Sequence, residues 1–242
     1  MFFKIKLAGV TVAIHSLYDE IYTMCRDYLT DGDEAFTVTV RPEDIAFERE
    51  KSIREAQVER RPAMVFPEPY LETLAVYRQI AVNILAFDTC LMHGSAVAVG
   101  DEAFLFTAPS GVGKTTHTRL WLEHIPGAFV VNGDKPLIRA EESGATVFGT
   151  PWAGKEGMQT NASAPLSAIC ILQRGEQNRI EPLSFLEAYP FVLGQIYKPT
   201  DRDDVVKTMT LVKRLSQTVR FYRLFCNREP QAALVAYEGM RG

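Results

Sequence analysis

The stretch that decides the fold is Thr107-Ala-Pro-Ser-Gly-Val-Gly-Lys-Thr-Thr116, written TAPSGVGKTT. It matches the pattern G-x-x-x-x-G-K-[ST], in which a glycine-rich loop turns successive backbone N–H groups toward phosphate oxygens. Ala108 replaces glycine at the first position of that pattern. The apolar run AFLFT precedes the stretch, and a helical pattern from Thr115 to His124 follows it. The sequence therefore predicts a strand, a phosphate-binding loop and a helix in succession, with a structural turn as the alternative.

Each residue type in this stretch has a predicted task. The glycines supply the bend, Lys114 neutralises terminal phosphate charge, and the hydroxyl of Thr115 binds Mg²⁺. The positive N-terminal end of the following helix favours the same anion. The predicted nucleotide-binding residues are Ser110, Gly111, Val112, Gly113, Lys114, Thr115 and Thr116.

A second element of such a site is an acid at the end of a neighbouring strand, where it holds the metal. The segment AFVVNGD provides Asp134 directly after an apolar run. Asn-Gly-Asp is also good turn chemistry, so a surface turn is the alternative. The position of the run, just after the predicted helix, favours Asp134 as a metal ligand together with Thr115.

Two further segments carry candidate catalytic groups. Residues 149–157 are rich in glycine and contain Lys155 and Glu156, so they form either a loop that covers phosphates or an ordinary surface loop. His93 opens the strand pattern HGSAVAV, where a lone histidine is more often structural. Arg174 follows the apolar run SAICIL and is interpreted as a solvated surface arginine, with a phosphate contact as the alternative.

The composition is that of a globular protein with a sizeable core. The chain has 242 residues, of which 47% are hydrophobic and 23% charged, with a formal net charge of −4. This charge gives no electrostatic case for nucleic-acid binding, and no apolar run is long and uninterrupted enough to predict a membrane span. Four widely spaced cysteines without a C-x-x-C pair favour reduced thiols and a cytoplasmic location.

The order of the patterns predicts an α/β protein in two parts. Residues 1–61 form a small N-terminal α+β segment, with strands in 2–14 and 35–40 and a helix from Leu17 to Leu29. The prolines at 62, 67 and 69 place a boundary there, and 62–242 form the core. In the core, two apolar runs around Gly100-Asp101 predict a hairpin, and the closing segment after Val219 predicts a strand and a helix.

Together these segments resemble the catalytic core of HPr kinase/phosphorylase and its relatives, a group that shares its fold with phosphoenolpyruvate carboxykinase. The likeness is carried by HGSAVAV, FLFTAPSGVGKTT and VVNGDKPLI, over roughly residues 90–175. It implies a mixed-sheet P-loop kinase core with ATP and Mg²⁺ as cofactors, and it raises His93 to a catalytic candidate. The family commonly assembles, so a homo-oligomer is also an expectation.

One position departs from the family. Members of the family have two consecutive acids at the end of this strand. Asp134 matches the second of them, whereas Gly133 occupies the position of the first. The general base is therefore open between Asp134, Glu156 and His93, or positioning alone suffices.

The leading hypothesis is an ATP-dependent kinase that phosphorylates a hydroxyl of a small molecule, a peptide or a protein serine. Lys155 would steady the transferred group. The alternatives are a nucleotide-binding regulatory module without phosphoryl transfer and a carboxykinase-like lyase.

Overall fold

The computed structural model describes residues 1–58 and 60–241, and its backbone contacts divide the chain into two units, Met1–Ile84 and Leu85–Gly242. This division lies later than the boundary after residue 61 that the prolines predicted. Helix α3 (Glu68–Asn83) belongs to the first unit because its Arg78 and Gln79 side chains bond to partners earlier in that unit.

The first unit is a small α+β fold. Its sheet has the order β1-β2-β3, with β1 and β2 antiparallel and β2 and β3 parallel. The elements besides α3 are β1 (Phe2–Leu7), β2 (Val10–His15), α1 (Glu20–Met24), β3 (Phe36–Thr39) and α2 (Pro42–Val58). The strands predicted in residues 2–14 are confirmed as an antiparallel pair, and residues 42–58 form a helix.

The helix predicted from Leu17 to Leu29 is much shorter in the structure. Only α1 is α-helical, followed by a single 3₁₀ turn at Arg26–Tyr28. Long-range hydrogen bonds occupy both flanks: the N–H of Leu17 donates to the Glu72 carboxylate, and the N–H of Thr30 donates to the Lys4 carbonyl. Local periodicity located the buried face, whereas these tertiary bonds set where the helix begins and ends.

The second unit is built on a mixed sheet. Within residues 85–241 the strands follow the order β4-β8-β9-β10-β6-β5-β7, and β12 pairs with both β10 and β11. The strands are β4 (Thr89–Leu91), β5 (Ser95–Val99), β6 (Glu102–Thr107), β7 (Phe129–Asn132), β8 (Leu137–Glu141), β9 (Gly144–Phe148), β10 (Ser163–Arg174), β11 (Arg179–Leu183) and β12 (Arg220–Cys226). The helices are α4 (Lys114–His124), α5 (Phe185–Gln195), α6 (Arg202–Thr218) and α7 (Gln231–Met240).

Helices cover both faces of this sheet. Along β6, Phe104 and Phe106 enter one apolar cluster with α4 and α7, while Ala103 and Leu105 enter another with α5 and α6. This alternation is what a strand buried on both faces requires. Trp121 of α4 is fully buried in the first cluster, and burying a side chain of that size stabilises the fold by about 2–3 kcal/mol.

Strand direction brings the predicted site segments to one edge. β5 is antiparallel to both β6 and β7, so β6 and β7 run the same way. The residues just before β5 therefore lie at the same edge as the residues just after β6 and β7. The predicted hairpin of β5 and β6 is confirmed, with Gly100 at a φ of 59° in its turn.

Within the described residues, no helix combines the length and the apolar character that crossing a bilayer would need.

Candidate functional site

The glycine loop is the segment between β6 and α4, residues 108–113. Gly111 and Gly113 have φ angles of 78° and 132°, in the region that residues with a Cβ rarely adopt. Gly113 is the residue directly before α4. The glycines therefore let the chain turn sharply from the strand into the helix, with the free N–H groups of the helix at the loop.

Lys114, the first residue of α4, is half-buried at this loop. Its Nζ donates to the carbonyl oxygen of Ala108 at 2.9 Å. Burial lowers the pKa of Lys114, and the negative charge of Asp134 only partly opposes that shift. Among the described residues it forms no ion pair. An ammonium group that is partly removed from water and lacks an anionic partner favours the arrival of an anion.

Asp134 is held by the turn after β7. The buried side chain of Asn132 accepts hydrogen bonds from the backbone N–H groups of Asp134 and Lys135 at 2.9 and 2.6 Å. The Asn132 amide in turn donates to the carbonyl of Thr150 at 2.9 Å. The turn chemistry noted in the sequence is thus present, and it fixes the position of Asp134.

The Asp134 carboxylate lies between two basic side chains. Oδ1 is 3.2 Å from His93 Nε2, and Oδ2 is 3.1 Å from Lys135 Nζ. Burial alone would raise the pKa of Asp134, but the hydrogen bond from His93 and the charge of Lys135 outweigh it and lower the pKa. Asp134 is therefore ionised at neutral pH, as a metal ligand must be.

His93 is fixed from its other side by Gln195, the last residue of α5. The His93 backbone N–H donates to the Gln195 carbonyl at 2.8 Å, and His93 Nδ1 is 2.9 Å from Gln195 Oε1. The Gln195 amide and the Asp134 carboxylate thus hold the imidazole ring from its two sides, with Nε2 turned toward Asp134.

These groups surround one cavity of about 380 Å³, called the loop pocket. Nearly all the residues predicted from the sequence line it: His93, Ser110, Gly111, Gly113, Lys114, Thr115, Thr116, Asp134, Lys155 and Glu156. Val112 does not, because its side of the glycine loop lines a different cavity.

Lys155 and Glu156 lie at the exposed rim of the loop pocket. Glu156 forms an ion pair with Arg119 of α4. The same segment lies close to Gly133, where an added Cβ would be 3.1 Å from the Met158 carbonyl oxygen. Gly133 also donates its N–H to that oxygen at 2.8 Å.

Sequence reasoning missed three residues of this arrangement, Asn132, Lys135 and Gln195. The first two stand beside Asp134, and the Asn-Gly-Asp turn pattern contained the signal for Asn132. Gln195 carries no local signal, since it contacts a histidine 102 positions earlier in the chain.

The fold and the pocket thus define a mixed α/β protein with a glycine loop between a strand and a helix and with charged groups converging beside it. No protein-family model matches the chain, and no curated protein matches it. Among solved structures, the HPr(Ser) kinase/phosphatase from Coxiella burnetii resembles part of it, at 13% sequence identity and a TM-score of 0.30. That match covers 52% of this chain and 97% of the other. A likeness this weak carries no functional argument.

Proposed function

We propose that this chain is an ATP-dependent kinase that binds Mg-ATP in the loop pocket and transfers the γ-phosphate to a hydroxyl of a small molecule, a peptide or a protein serine. The observation that carries this proposal is the convergence of Lys114, Thr115, Asp134 and His93 on one cavity beside the glycine loop.

The residues present fit ATP and Mg²⁺. Lys114 is a half-buried cation with a backbone carbonyl as its hydrogen-bond partner, at the N-terminus of an 11-residue helix. Phosphate charge would offset the cost of burying it. Thr115 and Asp134 offer a hydroxyl and a carboxylate, the hard oxygen ligands that Mg²⁺ prefers.

Each residue then has a defined task. When bound, Mg-ATP supplies the activated phosphoryl group. Lys114 neutralises the charge on the phosphates, Thr115 and Asp134 hold the metal, and Lys155 at the rim steadies the transferred group.

His93 is the proton acceptor in this proposal. His93 Nε2 and Asp134 Oδ1 lie 3.2 Å apart, so the two side chains act as one acid–base pair. In this proposal the hydroxyl proton passes to the pair as the γ-phosphate is transferred, and the negative charge of Asp134 stabilises the protonated ring. Glu156 is the weaker choice, because Arg119 pairs with it at the exposed rim.

The test separates binding from transfer in the full chain. Calorimetry measures ATP binding in the presence and in the absence of Mg²⁺. Transfer of the label from γ-labelled ATP is measured to water, to free hydroxyl compounds and to a library of serine peptides. We expect magnesium-dependent binding, and we expect His93→Gln to retain binding while losing at least about 100-fold in transfer. His124→Gln, a histidine of α4 outside the pocket, is the matched control.

The outcomes are distinct. Absence of magnesium-dependent binding would sink the proposal altogether. Binding without turnover on any acceptor would assign a nucleotide-binding regulatory module, and ATP-dependent release of CO₂ from oxaloacetate would assign a carboxykinase-like lyase.

A further inference from the structure

Lys135 follows Asp134 directly and has no task in the proposed reaction. Its Nζ lies 3.1 Å from Asp134 Oδ2, and its side chain is 27% exposed. Its backbone is held on both sides: the N–H donates to Asn132 Oδ1 at 2.6 Å, and the carbonyl accepts from the Thr150 hydroxyl at 2.8 Å. The turn after β7 therefore keeps this ammonium group beside the carboxylate.

The Asp134 carboxylate has a neighbour at each of its oxygens. His93 Nε2 lies at Oδ1, and Lys135 Nζ lies at Oδ2. The backbone of Gly154, with a φ of 72°, packs against the same side chain, since a Cβ on Gly154 would lie 3.3 Å from Asp134 Cγ. A cation that binds this carboxylate must therefore share it with groups that already contact it.

The two lysines of the site also act on each other. Burial is the main cause that lowers the pKa of Lys114, and the positive charge of Lys135 lowers it further. Asp134 is thus one negative charge beside two positive ones. Like charges at short range repel, so a divalent cation that approaches Asp134 meets the repulsion of both ammonium groups.

The pocket as a whole carries more positive than negative charge. Among the described residues, the charged side chains that line the loop pocket or pair with its lining comprise four cations and two carboxylates, a net charge of +2 with His93 counted as neutral. They are Lys114, Arg119, Lys135 and Lys155 against Asp134 and Glu156. Such a cleft attracts polyanions and disfavours free cations.

From these observations we infer that Lys135 is a specificity-determining residue of the loop pocket. It disfavours a bare divalent cation at Asp134, and it thereby selects a metal ion that arrives on a polyphosphate. The negative charge of the phosphates offsets the repulsion from Lys114 and Lys135. This inference rests on the proposed function, in which Asp134 is a metal ligand.

The experiment measures the binding of bare Mn²⁺ to the full chain by electron paramagnetic resonance, because Mn²⁺ accepts the same oxygen ligands as Mg²⁺. We expect Lys135→Met to bind Mn²⁺ at least about tenfold more tightly than the unmodified chain, which corresponds to about 1.4 kcal/mol. Lys135→Gln, a second variant without the charge, should show the same gain. Lys135→Arg retains the charge and should show none.

Two further variants locate the effect. Lys213→Met removes an exposed lysine of α6 outside the loop pocket and should leave Mn²⁺ binding unchanged. Combining Lys135→Met with Asp134→Asn should abolish the gain, because the added affinity depends on the Asp134 carboxylate. Thermal denaturation shows that each variant is folded before it is titrated.

Calorimetry with Mg-ATP, performed in parallel on the unmodified chain, separates this inference from the proposed function. If Mg-ATP binds but Lys135→Met and Lys135→Gln bind Mn²⁺ no more tightly than the unmodified chain, the inference is wrong and the proposed function stands. A gain that persists with Asp134→Asn, or bare Mn²⁺ binding as tight as that of Mg-ATP, would overturn the inference in the same way. If the unmodified chain binds no Mg-ATP, the proposed function fails and this inference fails with it.

Discussion

Some buried or half-buried polar side chains have opposite arrangements in the two units. In Met1–Ile84, Arg78 of α3 donates to Glu48 at 2.6 Å and to Asp44 at 2.8 Å, and the carboxylate of Glu72 accepts two backbone N–H groups. In Leu85–Gly242, Lys114 has a backbone carbonyl for a partner, and His117 Nδ1 has none among the described residues.

This difference separates polar groups that are paired within the fold from two groups at the glycine loop that lack such pairing among the described residues. A buried charge is costly unless it is paired, so Arg78 and Lys114 serve different purposes, although Asp134 in the second unit is paired with His93 and Lys135. Lys114 and His117 both lie beside the glycine loop. Four predictions test whether the contrast is real.

The largest expected effect is on the paired side. Glu48 is 3% exposed, so Glu48→Ala leaves Arg78 without its most buried partner and should lower the free energy of unfolding of the first unit by about 3 kcal/mol. Hydrogen exchange of the α2 and α3 amides measures this loss. Glu50→Ala, an exposed carboxylate on the same helix, is the control. If Glu48→Ala lost no more stability than the control, the buried Arg78–Glu48 pair would not be stabilising the first unit.

Lys114→Met should weaken ligand binding without lowering the stability of the fold. Removing the ammonium group should weaken Mg-ATP binding about 100-fold, equivalent to about 2.7 kcal/mol, because a charge-assisted contact to phosphate is lost. The thermal midpoint should stay unchanged or rise, since a desolvated charge is removed. Calorimetry and thermal denaturation give the two numbers, with Lys213→Met on α6 as the control. A clear fall in the midpoint would mean that Lys114 is structural.

The burial of His117 predicts an effect of pH on the free energy of unfolding that is intermediate in size. Burial lowers the pKa of His117 to about 3, against about 6.5 in the unfolded chain. Below pH 6.5 the unfolded state binds one more proton than the folded state, so stability falls as the pH falls. Between pH 6.5 and 5 this group should cost about 2 kcal/mol. Urea denaturation at several pH values should show that the free energy of unfolding of His117→Phe depends less steeply on pH than that of the unmodified chain. An equally steep dependence would contradict the burial of a neutral ring.

The smallest effect belongs to an exposed pair. Arg49 and Glu68 lie 2.7 Å apart but are each about half exposed. Solvent screens such pairs, so Arg49→Ala should produce no resolvable shift in the urea midpoint. A shift as large as that of Glu48→Ala would show that burial does not separate the two classes of charge.

Sequence reasoning predicted the local elements of the site well. The strand β6, the glycine loop and α4 appear in the predicted order, and β12 and α7 close the chain as expected. Strands β4, β8, β9 and β11 were not predicted. They are short, between three and five residues, so their apolar pattern is too brief to distinguish from a loop.

Several site contacts could not be predicted, for a physical reason. The approach of His93 to Asp134 depends on β5 lying between β6 and β7, a pairing that no local pattern specifies. Arg174 is exposed, as the sequence interpretation has it, but its contact with the Gly111 carbonyl depends on the parallel pairing of β10 with β6, which no local pattern specifies.

The amino-acid sequence by itself determined where the chain turns on glycine and which runs form the central strands. These properties depend on φ preferences and apolar periodicity within a few residues. Only the tertiary structure decided that Gln195 orients His93, that the glycine loop has a cavity on each side, and that His117 is buried with one ring nitrogen lacking a partner among the described residues. Those contacts join residues far apart in the chain, and only the packing of helices on both faces of the sheet brings them together.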